Sequence, residues 1–264
     1  MLFDNGITTE FEAYLAGFLY ADGYVDKRNS LIINLAIVDE GFLQNLCDIL
    51  NKELNKIYKL KYIESQNSVR LSIYCRKFVQ NLQNIGIRNR KTYDNDSSIF
   101  DNIKNKILKI HFIRGFYDGD GGIHINKVGK VQISIVSLNQ KLLDSILNFI
   151  KTECMIKTKA NLTKTHVYAL QLQGNVVVKS FLDLLYTNST IYLSRKYNVY
   201  TEIRIYKDIC SSKYKNIHQM QSGKWRVTKS INGVKRHFGV FDSEENAYAC
   251  YVKLIVTGVI ENDN

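Results

Sequence analysis

The chain has 264 residues, 45% of them hydrophobic, enough for a sizeable core in one large domain or two modest ones. Its 36 lysines and arginines against 25 acids give a net charge of +11, so the natural partner is a polyanion, nucleic acid ahead of an anionic membrane surface. No apolar run reaches transmembrane length, the N-terminal MLFDNGITTEFEAY lacks the basic-then-apolar pattern of a signal peptide, and Cys47, Cys75, Cys154, Cys210 and Cys250 form no CxxC and have no histidine at zinc spacing, which sets aside membrane residence, secretion and a zinc site. The expectation is a soluble protein of the cytoplasm or an organellar matrix, with reduced thiols.

Thr8 or Thr9 can cap a first helix with Phe11, Tyr14, Leu15, Phe18 and Leu19 on its apolar positions and Gly23 as its stop. Alternating runs over 24–28 and 31–38 read as strands, followed by a helix over 39–50, strands over 57–63 and 68–75, and a short helix over 77–84. The same order then recurs, about a hundred residues on. A helix leads into 112–118, strands cover 123–126 and 130–137, and a helix covers 139–151; strands over 155–162 and 166–173 and a helix over 175–185 complete it. The chain therefore reads α-β-β-α-β-β-α twice, an α+β fold with antiparallel sheets. The division expected is 1–98 and 99–206 for the repeats, a polar linker over 207–222 and a small module over 223–264.

Side chains on a strand alternate between faces, so Val69, Leu71, Ile73 and Cys75 pack on helices while Arg70, Ser72, Tyr74 and Arg76 stay open. Lys59 and Lys61 in the first repeat match Lys157 and Lys159 in the second. His124 and Asn126 share an open face, as Asp26 and Arg28 would in the first half. Asn34, Gln132, Ser134, Gln171 and Gln173 extend the set. Such faces, in a basic and duplicated chain, can reach phosphates and base edges alike.

The repeat is sharpest in YLAGFLYADG, residues 14–23, and FIRGFYDGDG, residues 112–121. Gly17 and Gly115 occupy equivalent helix-interior positions, where glycine costs about 1 kcal/mol relative to alanine. That cost is tolerated where two backbones approach closely, so two parallel helices are expected to pack along these residues. Asp22 and Asp120 would then sit at neighbouring helix C-termini, where each carboxylate meets a partial negative charge and its twin. A divalent cation with oxygen ligands relieves that repulsion and suits phosphodiester hydrolysis.

Residues 15–23, LAGFLYADG, resemble the signature of the LAGLIDADG homing endonucleases, and residues 113–121, IRGFYDGDG, resemble its second copy. The likeness covers roughly residues 8–205. It implies a single-chain, pseudo-symmetric enzyme, a monomer with two saddle-forming sheets astride double-stranded DNA, cutting both strands with Mg2+ or another divalent ion such as Mn2+. It places the metal at Asp22 and Asp120 with Gly23 and Gly121, and a basic residue from the end of each half, Lys91 and Lys196, in the catalytic set. Ser137 fits a water-organising role. Two positions depart from the pattern: Tyr20 stands for the first acid that Asp118 keeps, and Arg114, where a small residue is usual, is expected to face away from the helix pair. A non-catalytic DNA-binding regulator and an RNA-splicing maturase remain open on the same scaffold, the retained acids speaking against the first.

In the tail, Asn232-Gly233 between alternating runs signals a hairpin, and Ser243 or Asp242 can cap a helix to about Val256 with Ala247, Tyr248, Tyr251 and Leu254 on one stripe. Gly239, Phe241 and the stretch Glu244 to Tyr248 resemble an AP2-like DNA-binding module. The resemblance makes Arg226, Lys229, Lys235 and Arg236 candidate DNA contacts, with Trp225 read as the anchor of a small core.

Overall fold

The computed structural model describes residues 1–88, 95–126, 129–156, 162–164 (backbone only), 167–203, 212–220 and 222–259. The chain divides into two compact units, Met1–Ile203 and Arg204–Asn264. In the first unit the order is α1 (Glu10–Asp22), β1 (Gly23–Val25), β2 (Leu31–Ala36), α2 (Glu40–Leu54), β3 (Lys61–Ile63), β4 (Ser68–Ile73) and α3 (Arg76–Asn84), then a short α4 (Ser98–Asp101). The second repeat follows as α5 (Lys106–Asp120), β5 (Gly121–Ile125), β6 (Val131–Ser137), α6 (Gln140–Thr152), β7 (Leu162–Lys164), β8 (Tyr168–Gln173) and α7 (Asn175–Tyr186), closed by α8 (Ser194–Glu202). Each repeat folds a four-stranded antiparallel sheet, in the orders β1-β2-β4-β3 and β5-β6-β8-β7. The α-β-β-α-β-β-α order thus holds in both halves, as an α+β fold.

The first helix starts on a capping box. Thr9 Oγ1 accepts from the Glu12 N–H at 3.2 Å, and Glu12 Oε2 accepts from the Thr9 N–H at 3.1 Å. From Ala13 to Tyr20 every residue of α1 is buried, as is every residue of α5 from Phe112 to Asp118, so both helices are central rather than amphipathic. They touch backbone to backbone. A Cβ on Gly17 would lie 2.0 Å from the Phe112 carbonyl oxygen and 2.8 Å from the Phe116 nitrogen; one on Gly115 would lie at the same distances from Tyr14 and Phe18. Further along, a Cβ on Gly119 would lie 2.2 Å from that of Ala21, so the helices run parallel with the repeats in register. The inward faces of the sheets, such as Leu31, Ile33 and Leu71 in one and Ile133, Ile135 and Leu170 in the other, join the helix pair in one continuous core.

Several strands are shorter than their sequence pattern, and polar side chains set the limits. Asp26 Oδ1 accepts from the N–H groups of Arg28 and Ser30, closing a turn with Asn29 at φ +57°, so Arg28 lies in a hairpin loop. Asn126 does the same in the second repeat, accepting from the Lys130 N–H with Gly129 at φ +76°, and belongs to a turn rather than to β5. Asn51, near the end of α2, grips Tyr58 through both the N–H (2.7 Å) and the carbonyl (3.0 Å), tying the chain to α2 just before β3, which begins at Lys61 and leaves Lys59 outside it. Tyr74 lies past the end of β4, and Arg76 opens α3.

The second unit contains β9 (Ile217–Gln219), β10 (Trp225–Ile231), β11 (Val234–Phe241) and α9 (Glu244–Val256), with sheet order β11-β10-β9. Asn232 and Gly233, both at positive φ, turn the β10–β11 hairpin. Ser243 caps α9 by accepting from the Asn246 N–H, and Trp225, Val227, Ile217, Ala247 and Tyr251 form the small core. The strand β9 lies inside the stretch that sequence pattern alone gave to a linker.

Gly115→Ala should lower the unfolding free energy by about 2 kcal/mol or more in urea titrations, because it overpacks a backbone contact. Gly41→Ala, where an added Cβ meets nothing within 4 Å, should be neutral or stabilising by up to about 1 kcal/mol. Equal effects of the two would contradict the close contact of α1 and α5.

Candidate metal centre and nucleic-acid interface

Asp22 and Asp120 are the last residues of α1 and α5. The chain leaves each helix directly into a strand. The N–H of Gly23 donates to the Leu19 carbonyl and that of Gly121 to the Tyr117 carbonyl, with φ near −80° at both, so a left-handed turn is not what calls for glycine. Space calls for it: a Cβ would fall 2.6 Å from the Leu19 oxygen and 2.3 Å from the Tyr117 oxygen. Each acid is thereby fixed between a helix and a strand. The Asp22 carboxylate lies over the last turn of α5, where a Cβ on Gly119 would come within 3.2 Å of Oδ2.

Lys196 closes the same corner. It is 2% exposed, and its Nζ donates to the carbonyls of Tyr117 (2.5 Å), Asp118 (2.7 Å) and Gly119 (3.4 Å), capping the negative end of α5. Burial pushes its pKa down to about 8, with Asp118 opposing; Arg195 lowers it further, while Asp22 and Asp120 raise it. The ammonium therefore lies within electrostatic reach of both terminal acids. Asp118 itself is buried and accepts from Tyr186 Oη (2.6 Å), Tyr14 Oη (2.8 Å) and the Leu193 N–H (2.8 Å). Burial raises its carboxyl above the usual range against those bonds. Its work is to tie α5 to α1, α7 and the start of α8, which presents Lys196. Tyr20, at the equivalent place in α1, accepts a bond from Asn139 Nδ2 at 2.7 Å.

Arg114 does not face away from the helix pair. It is fully buried over the Tyr14 ring of α1, 5.2 Å from its centroid, and binds Glu10 Oε1 at 2.7 Å and the Leu185 carbonyl at 3.1 Å. The ion pair to Glu10 and the bond to a carbonyl offset the cost of burying this charge, although its Nε has no hydrogen-bond partner among the described residues.

The sheets carry the predicted polar side chains in rows. Cross-strand partners share a face, so Lys61, Arg70 and Asn34 line up across β3, β4 and β2, with Ser72, Ile32 and Tyr24 in another row across β4, β2 and β1. In the other sheet Gln173, Gln132 and His124 form one row and Gln171, Ser134 and Gly122 the next. The Arg70 Nε is buried without a hydrogen-bond partner among the described residues, as is that of Arg226 in the second unit. Tyr24 and Ile32 escaped the sequence reading, although their strand parity places them with Asn34 and Arg70. Ser137 Oγ accepts locally from the Asn139 N–H. Lys91, Lys157 and Lys159 lie outside the described residues.

In the small sheet, Arg226 pairs with His218 and Val240, Thr228 with His237, and Ser230 with Lys235, on the face away from Trp225 and Val227. Lys229, by contrast, has the parity of Trp225 and Val227, pairs with Arg236 and is 7% exposed, so it is not available as an open-face contact. Among the described residues no helix is long and apolar enough to cross a membrane.

Residues 11–86 match the LAGLIDADG-like domain. The chain is 28% identical over 151 residues to the uncharacterized protein MJ0314 of Methanocaldococcus jannaschii, covering 54% of each. It is 25% identical over 243 residues to the uncharacterized protein MJ1054 of the same organism, covering 86% of this chain and 25% of that relative. The chain thus spans about half the length of the first relative and a quarter of the second. Its fold is similar to that of mesophilic variants of the homing endonuclease I-DmoI (TM-score 0.52, 17% identity, 73% of this chain and 97% of that one). Against I-DmoI in complex with DNA and Ca the TM-score is 0.51 at 18% identity, with the same coverage.

Because the folded pKa of Lys196 lies below its ordinary 10.5, the unfolded chain binds the extra proton between about pH 8 and 10.5, and stability from this group rises with pH across that window. Wild type should therefore gain on Lys196→Met by up to about 1.4 kcal/mol per pH unit there, read by urea unfolding at a series of pH values. A pH-independent difference would mean that the ammonium is not held in a buried site.

Proposed function

We propose that this chain is a site-specific DNA endonuclease of the homing type, breaking both strands of a long asymmetric target by metal-dependent phosphodiester hydrolysis. The observation that carries the reading is the pairing of Asp22 and Asp120 at the ends of parallel helices in backbone contact, with Lys196 in electrostatic reach of both. The donor chemistry suits Mg2+ or Mn2+: hard carboxylate oxygens at two negative helix ends, one of them seated where only glycine leaves room. Two carboxylates are fewer ligands than such an ion takes, so water and phosphate oxygens would complete its coordination. Asp22 and Asp120 would hold the ion, with Gly23 and Gly121 offering backbone oxygens. When bound, the ion supplies an activated water and charge for the leaving oxygen.

The residues of the chain do the rest. Lys196 holds a proton on Nζ beside the phosphate position, and Lys91 is the matching candidate from the first half. The rows Lys61–Arg70–Asn34 and Gln173–Gln132–His124 face DNA phosphates and base edges, and the net charge of +11 draws the duplex in. Support comes from the fold shared with I-DmoI, a homing endonuclease solved in complex with DNA and Ca. In the second unit, the AP2-like reading is retained for Arg226 and Lys235, joined by His218 and His237 on the open face. The active species would be a monomer, since one chain supplies both acids.

Against targets selected from a randomised duplex library, Asp22→Asn and Asp120→Asn should each lower double-strand cleavage in Mg2+ by roughly a hundredfold or more while binding is retained. Wild-type binding without any cleavage in Mg2+ or Mn2+ would favour a regulator on the same scaffold. Removing residues 204–264 should weaken binding and shorten the footprint; an unchanged footprint would remove the second unit from the DNA interface.

A further inference from the structure

Arg195 and Asp39 lie 156 residues apart and in different repeats, yet Arg195 Nε donates to both carboxylate oxygens of Asp39, at 3.0 and 3.1 Å. Asp39 is 7% exposed and occupies the N-cap position of α2, just past the end of β2. Aspartate at that position ordinarily accepts from an N–H of its own helix. Here it makes no such bond. Its counterpart in the second repeat, Asn139, does cap α6 by accepting from the Leu142 N–H at 3.0 Å, and its amide donates to Tyr20 Oη and to the Asp96 carbonyl, both at 2.7 Å. The first repeat thus gives up a local cap to hold a guanidinium supplied by the other repeat. The second offers a neutral amide that is already engaged.

The Arg195 side chain is 50% exposed, and its terminal nitrogens have no protein hydrogen bond among the described residues. It precedes Lys196, whose ammonium feels both Asp22 and Asp120. An arginine anchored through Nε by a buried carboxylate, with its outer nitrogens open to solvent, is preorganised for a phosphate. We infer that Arg195, oriented by Asp39, contacts a DNA backbone phosphate at one of the two cleavage positions, so that the two strands break at unequal rates. The strand inequality rests on the endonuclease reading; the phosphate contact does not.

The test uses the full chain and a duplex selected from a randomised library, labelled on one strand at a time. Arg195→Met should slow cutting of one strand by roughly ten- to a hundredfold more than the other, with nicked duplex accumulating. Arg195→Lys keeps the charge but loses the fork and should fall between. Asp39→Asn should affect the same strand to a smaller degree. Binding in Ca2+ gives a readout independent of cutting: the slope of log affinity against log salt should fall by about 0.9 in Arg195→Met. Equal slowing of both strands with an unchanged slope, in variants that melt as wild type does, would overturn the inference. If wild type cuts neither strand the endonuclease reading fails, and the salt slope alone decides the phosphate contact.

Discussion

The contact between Gly17 and Gly115 is the constraint from which the rest of the first unit follows. With a Cβ position only 2.0 Å from the facing carbonyl oxygen, the two helices can meet at this distance only where both lack side chains. Register is then not adjustable. A slide of one residue would bring a side chain onto a backbone, which costs far more than the roughly 1 kcal/mol each glycine gives away in helix propensity. Fixed register brings Ala21 against Gly119 and carries Asp22 and Asp120 to the same level. Two helix C-termini and two carboxylates then share one corner. The burial of Lys196 against three α5 carbonyls is the protein's own partial answer to that charge.

Around this symmetric contact the polar ties are unsymmetric. Asp118 gathers two tyrosine hydroxyls and a backbone N–H, whereas at the equivalent place a tyrosine, Tyr20, accepts from Asn139. Arg114 is buried over Tyr14 and paired with Glu10. Networks of this kind add little net stability over an apolar core, but losing one partner leaves a buried charge or hydroxyl unmatched and costs several kcal/mol. The bonds from Tyr14 to Asp118, Arg114 to Glu10 and Asn139 to Tyr20 each run between the two repeats. A duplicated sequence needs such devices, since apolar helix faces alone would pair equally well in like or unlike combinations.

What the sequence made legible was whatever depends on repetition and spacing: the glycines, the terminal acids, the α-β-β-α-β-β-α order and the open face containing Arg70, Ser72 and Gln132. What it hid depends on where polar side chains find partners. Asp26, Asn51 and Asn126 bond to nearby backbone beside the strand ends, and Arg28, Lys59 and Asn126 lie outside the strands that alternation alone had assigned them. Arg114 was hidden because its partners, Glu10 and Leu185, lie 104 and 71 residues away. Lys229 was recoverable: its parity with Trp225 and Val227 already places it on the helix-facing side. The helix α8 also left a trace, in Tyr197 and Tyr200 three apart, both of which pack on Tyr186.

The two open faces are as unlike as the ties beneath them. The first sheet presents Lys61 and Arg70 beside Asn34, with the apolar pair Tyr24 and Ile32 nearer the acids. The second presents Gln132, Gln173 and His124, with Ser134 and Gln171, and the bare backbone of Gly122 where the first has Tyr24. Cations suit phosphates and guanine edges, apolar groups suit the thymine methyl, and side-chain amides suit the paired donor and acceptor of adenine. On the endonuclease reading, a palindrome could satisfy at most one of these faces at a time. On the same reading, the backbone symmetry that would align two acids with two strands carries faces suited to a target whose halves differ.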